Sequence, residues 1–283
     1  QRKGFFKNIN FQYTFRGENR INTTDSLFFK KGMFDDAKYG MKHTIPLSTN
    51  FKVMKHFSVS VNGNFEEIWT GNTIERNDFN SITQEQGEKI KIKGFDRFNQ
   101  YNFGMSVGTT IYGLFNFKET NKVQSIRHVI RPSVSYNIRP SFKKYYDTYI
   151  IDANGNTAEY TRFEENFFGL PSKRYSSSIG LQISNNIEAK VREKDSLSTE
   201  PKKITILNNL NISTNYDLAV DSLKLSPIRM TTGTNLFNNK LNINLSATFD
   251  AYALNETGLR INKLNISTGG GLLRMTSANM NMN

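Results

Sequence analysis

In residues 5–16 the odd positions read Phe, Lys, Ile, Phe, Tyr, Phe and the even positions Phe, Asn, Asn, Gln, Thr, Arg, so one face is mostly apolar and the other mostly polar. A period of two is the signature of a half-buried β-strand. The same alternation returns at 41–53, 57–69, 101–117, 126–138, 175–191, 204–216, 228–237, 241–249, 261–268 and 272–282. The pattern predicts about eleven strands, several longer than the roughly five or six residues usual in soluble sheets. Many reach the roughly 9 to 11 residues that a tilted strand needs to cross a bilayer.

The connections alternate in length. Long polar segments are expected at 17–39, 70–99 and 139–174, and moderate ones after the seventh and ninth strands. Short links are expected at 54–55, 118–125, 238–240 and 269–271, while 192–203 is longer than its neighbours on that side. Successive antiparallel strands put odd and even connections at opposite ends, so one end of the sheet is ragged and the other trimmed. Outer-membrane barrels have this asymmetry, with long outer loops and short periplasmic turns. It places Asn154 outside the cell and Asn239 in the periplasm. The predicted fold class is all-β: an antiparallel transmembrane β-barrel, of which about 10 to 11 strands are present.

The segment IRHVIRPSVSYNIRP, residues 126–140, looks at first unsuited to any sheet. Its isoleucines share one face with His128, Pro132, Val134 and Tyr136, while Arg127 and Arg131 share the other. In a barrel the first face meets lipid and the second a watery lumen. Pro132 cannot donate to a ladder, so it calls for a bulge or a break beside it. Arg127 and Arg131 are candidate ligand-binding residues, because guanidinium groups match phosphate geometry. A plainer role is open to both: hydrating the wall, or pairing with carboxylates on neighbouring strands.

Composition narrows the chemistry. Twenty-two phenylalanines and 12 tyrosines accompany a single tryptophan in 283 residues, which favours strands. No run approaches the roughly 18 apolar residues of a membrane helix. Cysteine is absent, so neither a disulfide nor a thiolate metal site can form. The start, QRKGFF, has no secretory signal, and MTSANMNMN still alternates where the chain stops, so both ends read as cuts through a longer polypeptide. The net charge of +12 raises the question of nucleic acid, but the basic residues are scattered through loops and strand ends without a binding motif. They read as solvated surface, and an acidic glycolipid stays open as a partner.

No catalytic constellation assembles. His43, His56 and His128 fall in three strand regions, and no zinc motif, nucleophile elbow or phosphate loop is present. DANGN at 152–156 lacks the glycine and glutamate that a calcium loop places at its sixth and twelfth positions, and reads as a hairpin turn. Gly269, Gly270 and Gly271 read as a turn. Tyr13, Phe15, Phe115 and Phe117 at strand ends fit either a soluble core or the aromatic girdles of a barrel. The chain is read as a non-enzyme with no cofactor and no metal.

RHVIRPSVSYNIRP, preceded by YGLFNF at 112–117, resembles the barrel of the LptD family of outer-membrane lipopolysaccharide-assembly proteins, which carries a His, Pro, Tyr, Pro strand of this kind. Here those positions are His128, Pro132, Tyr136 and Pro140. FDAYALNETGLRINKLN at 249–265 is similar to a later part of the same barrel. The resemblance is carried from about residue 100 onward, and by general barrel pattern before it. It implies that residues 1–283 are one segment of a closed barrel of about 26 strands. A plug lipoprotein of the LptE kind would fill it, and a periplasmic bridge would supply lipopolysaccharide for release into the outer leaflet. The periplasmic domain and the strands of the lateral gate would lie outside this chain. The family's domain-joining cysteines have no counterpart here. Another outer-membrane barrel, a nutrient receptor or secretion pore, is the alternative, and a soluble β adhesin a more distant one.

Overall fold

The computed structural model describes residues 8–34, 37–118, 121–192, 202–236 and 240–283. The strands are β1 (Ile9–Phe11), β2 (Thr14–Arg20), β3 (Lys38–Val53), β4 (Phe57–Arg76), β5 (Lys89–Gly108), β6 (Ile111–Asn116), β7 (Val123–Arg139), β8 (Tyr146–Ile150), β9 (Thr157–Thr161), β10 (Ser176–Val191), β11 (Lys202–Asp217), β12 (Ile228–Leu236), β13 (Leu241–Asp250), β14 (Tyr252–Leu254), β15 (Arg260–Leu264) and β16 (Arg274–Met282). Twelve of them form one open sheet in the order β1, β3, β4, β5, β7, β10, β11, β12, β13, β16, with β2 on β3 and β6 on β7. The chain is thus an all-β antiparallel sheet, as the alternation predicts, and among the described residues its two edge strands do not pair. Among the described residues no helix is long and apolar enough to cross a membrane.

Two prolines explain where the strands break. Residues 5–16 are expected as one strand; those of them that are described form β1 and the start of β2, in a single unbroken register on β3, from Ile9 opposite Thr49 to Thr14 opposite Thr44. The gap at Gln12 and Tyr13 lies opposite Ile45 and Pro46, and Gln12 N–H still donates to the Pro46 carbonyl at 3.3 Å. Pro46 has nothing to donate in return, so the ladder is interrupted there and the register is not shifted. The expected strand 101–117 is likewise divided into the end of β5 and β6. Thr109 N–H donates to the Pro132 carbonyl at 3.2 Å, and Pro132 has no N–H to return.

The tenth expected strand needs correction, whereas the ninth, 241–249, is β13 of the sheet. Residues 261–268 do not join the sheet: β15 pairs with β14 in a separate hairpin, and Asn265–Thr268 is a short 3₁₀ turn. The Asn255 carboxamide oxygen accepts from the N–H groups of Thr257 at 3.1 Å and Leu259 at 2.8 Å, and Gly258 sits at φ 79°. NETG is therefore a tight turn inside one long connection between β13 and β16. The predicted alternation of loop lengths becomes cleaner, because the short link expected at 269–271 disappears into that connection. Asn239 lies outside the described residues.

The chain divides into two compact units, Gln1–Thr49 with Val61–Gly104 and Ile138–Ser176, and Asn50–Ser60 with Met105–Asn137 and Ser177–Asn283. In the first, the connection after β7 is itself folded. β8 and β9 form a hairpin closed at Asp152, whose carboxylate accepts from the N–H groups of Asn154 and Asn156 at 2.9 and 3.0 Å. DANGN is that turn, as expected. Phe142, Tyr145 and Phe163 of this connection pack with Ile68 and Phe98 of β4 and β5 into the buried cluster of the unit. Carboxylates hold the same connection down. Glu165 takes Lys38 and Lys89, each at 2.7 Å, Glu164 takes Arg76 at 2.8 Å, and Asp96 takes Arg162 at 2.6 Å. Tyr13, Phe15, Phe115 and Phe117 are all exposed, which rules out the soluble-core reading of those rings.

Candidate functional site

In the second unit the strand registers sort side chains onto two faces. Ile183 stands opposite Ile212, then in turn Met230, Ala247 and Ala278 across β10 to β16. One row along, Ser184, Asn211, Thr231, Ser246 and Asn279 face one another. The apolar face is bare: Phe115, Val134, Leu181, Ile183, Leu245 and Met280 are all exposed. A sheet folded for water covers such a face. The polar face is knitted by amides, with Asn242 Nδ2 donating to Asn235 Oδ1 at 2.8 Å and Asn244 Nδ2 donating to Asn242 Oδ1 at 2.5 Å.

The residues of β7 divide between these faces as their spacing predicts, and the two candidate arginines acquire different surroundings. Arg127 Nη1 lies 3.9 Å from the Glu188 carboxylate, which also takes Lys203 at 2.9 Å, and its guanidinium carbon is 5.8 Å from the centre of the Tyr112 ring. Arg131 has no ion-pair partner among the described residues. It lines an open cleft of about 470 Å³ with Lys52, Lys55 and His56. Ser58, Thr110, Ser133 and Gln182 supply the neutral polar groups of its wall, and no carboxylate lines it.

Three positions of the His, Pro, Tyr, Pro motif serve the sheet. His128 Nε2 lies 3.1 Å from Asn185 Oδ1, and the Ser177 hydroxyl donates to the Tyr136 hydroxyl at 3.3 Å, so both tie β7 to its neighbour β10. Pro132 sits at the β5–β6 break and contributes to the wall of the cleft. Pro140 immediately follows the last residue of β7.

Lys52 and Lys55 escaped the sequence reading, and His56 was weighed there only as a histidine without a catalytic constellation. Lys52 falls on the polar face of β3 by parity, but nothing local announces that Arg131 lies beside it. The turn that carries the other two is unusual. Met54 and Lys55 have φ of 49° and 62°, the conformation that two-residue hairpin turns require and that asparagine and glycine normally supply. Each non-glycine residue there costs about 1 to 2 kcal/mol. Thr109 hydroxyl donates to the His56 carbonyl at 2.9 Å and fixes the turn against the β5–β6 break. His43 has other company, with Tyr13 Oη 2.7 Å from its Nδ1 and the Trp69 ring 4.3 Å from its own. Among the described residues no three His, Asp or Glu side chains are grouped to hold a metal ion.

Comparison with known proteins decides the family. The family described as LptD protein matches residues 1–252, most of the chain. The chain belongs to the LptD family. No curated protein and no solved structure matches it. The LptD match begins at the first residue, so it reaches further toward the N-terminus than the motif of β7. It ends at Tyr252, just inside the segment 249–265 that also resembles the family. LptD proteins are a transport and assembly family of the outer membrane, and lipopolysaccharide transport is the role that membership indicates here.

Proposed function

We propose that this LptD-family chain is part of the wall of an outer-membrane barrel that delivers lipopolysaccharide to the outer leaflet. The supporting observation is the pair of faces in register across β10 to β16, apolar and bare on one side, rich in amides and hydroxyls on the other. In the proposed barrel the first face meets lipid and the second a watery lumen. The chemistry is non-covalent: cargo is steered, and no bond is made or broken. Arg131 is the lumen arginine that meets an anionic cargo, while Arg127, already facing Glu188, maintains the wall. A plug lipoprotein inside the barrel and a periplasmic bridge that hands over lipopolysaccharide complete the assembly.

Depletion of the full-length protein, followed by assay of surface lipopolysaccharide, tests the function; undiminished surface lipopolysaccharide would remove it. The facing is tested by Leu245→Arg against Thr231→Arg. An arginine on the lipid face of a barrel costs roughly 2 to 4 kcal/mol near the midplane, so the first should fail to assemble and the second should not. Heat-modifiable gel migration reads both, and the reverse result would invert the assignment.

A further inference from the structure

The cleft beside the β3–β4 turn gathers four basic side chains from separate parts of the chain. Lys52 comes from the end of β3, Lys55 and His56 from the turn, and Arg131 from the middle of β7. Four other cations of the same unit are matched: Glu188 serves Arg127 and Lys203, and the buried Asp250 carboxylate serves Arg260 at 2.7 Å and Arg274 at 3.5 Å. Lys52, Lys55 and Arg131 have no such partner among the described residues. Like charges held together raise the free energy of the empty site, and a bound anion relieves that repulsion. The turn adds to this cost, since Lys55 occupies a backbone conformation that glycine would adopt freely. Strain retained at a charged position points to a use for the charge.

We propose that Lys52, Lys55, His56 and Arg131 form a binding site for a phosphate-bearing group, the phosphorylated headgroup of a glycolipid. Arg131 offers the planar fork that takes two phosphate oxygens at once, and the lysines offer point charges on flexible stems. Ser58, Ser133 and Thr110 supply hydroxyl donors, and Gln182 an amide. The cleft is open, and its volume of about 470 Å³ leaves room for a sugar beside the phosphate. The identity of the ligand rests on the lipopolysaccharide-transport reading; the presence of an anion site does not.

The full chain, refolded in detergent micelles, is titrated with inorganic pyrophosphate, and separately with a diphosphorylated glycolipid and its dephosphorylated counterpart doped into the micelles. The site is expected to bind the phosphorylated glycolipid and not the dephosphorylated one, and to lose affinity as ionic strength rises. Lys55→Gly and Arg131→Gln should each weaken binding about tenfold, since one charge-assisted hydrogen bond is worth that factor or more. Lys55→Gly relaxes the turn, so its effect cannot be ascribed to misfolding. Binding of pyrophosphate alone, with the glycolipid ignored, would overturn the headgroup as the source and leave a site for free phosphates. Failure of every phosphate probe, or binding by both variants as tight as by the unaltered chain, would overturn the site itself. Depletion that still lowers surface lipopolysaccharide would then leave the family function standing without it.

Discussion

Two regions, one in each compact unit, treat charge in opposite ways. In the first, acids and bases are matched across the folded connection 140–175: Glu165 between Lys38 and Lys89, Glu164 on Arg76, Asp96 on Arg162, and Glu159 between Lys143 and Lys173. In the second, a cleft holds Lys52, Lys55 and Arg131 with no carboxylate in its wall. Matched charges fix a connection in place, whereas unmatched ones wait for a partner. A net charge of +12 therefore conceals two physical situations that composition alone cannot separate. The contrast can be attacked by removing a charge from a matched site and from the unmatched one and comparing the cost.

The largest effect is expected at Asp250, where the second unit does match its charges. The carboxylate is 3 % exposed and faces Arg260 and Arg274, and it also accepts from the Tyr252 N–H at 3.0 Å. Asp250→Ala leaves two partly buried guanidinium groups without their anion, and breaking such a set costs about 3 kcal/mol or more. Urea unfolding followed by far-ultraviolet circular dichroism should show the loss. An unchanged midpoint would mean that the arginines are satisfied by solvent, and that matching holds nothing in place here.

A smaller effect is expected at Glu165. Its two lysine partners, Lys38 first and Lys89 second, hold its carboxyl at about 2, below the ordinary 4.5. A depressed carboxylate contributes stability that is complete above about 4.5 and disappears as pH falls toward about 2. Glu165→Gln should cost about 1 kcal/mol at neutral pH, because the pairs are partly exposed and screened. The near-ultraviolet dichroism of the Phe98, Tyr145 and Phe163 cluster should lose part of its pH dependence in that window. An identical acid profile in the variant would assign the transition to other carboxylates.

Much of this was legible from period two alone. The strands, their order of long and short connections and the sides of Arg131 and Val134 all follow from local alternation, because neighbouring side chains in a strand must point to opposite faces. The β14–β15 hairpin was missed because residues 261–264 alternate like a sheet strand, and the Asn255 turn that folds them back precedes the run. Pro132 gave fair warning of an irregularity, yet the break fell on its partner, at Thr109 and Thr110. The difference between Arg127 and Arg131 was not legible. Both occupy the same face of one strand, and they are told apart by Glu188 on β10 and by Lys52 and Lys55 at the β3–β4 turn, positions that only the register of the sheet brings near.

The smallest effect, and the one that bears most directly on the contrast, is expected at the β3–β4 turn. If the cleft cations are unmatched, removing one should cost the fold nothing. Met54 and Lys55 both have positive φ, so glycine at either position should leave stability unchanged or raise it by less than about 1 kcal/mol. Met54→Gly changes the backbone preference and keeps the charge; Lys55→Gly changes both. The difference between the two variants in urea unfolding therefore isolates what the cation contributes to the empty protein. A small additional gain for Lys55→Gly is expected at low salt, vanishing as salt screens the repulsion from Lys52 and Arg131. A clear loss for Lys55→Gly with none for Met54→Gly would mean that Lys55 has a partner after all, and the two regions would then handle charge alike.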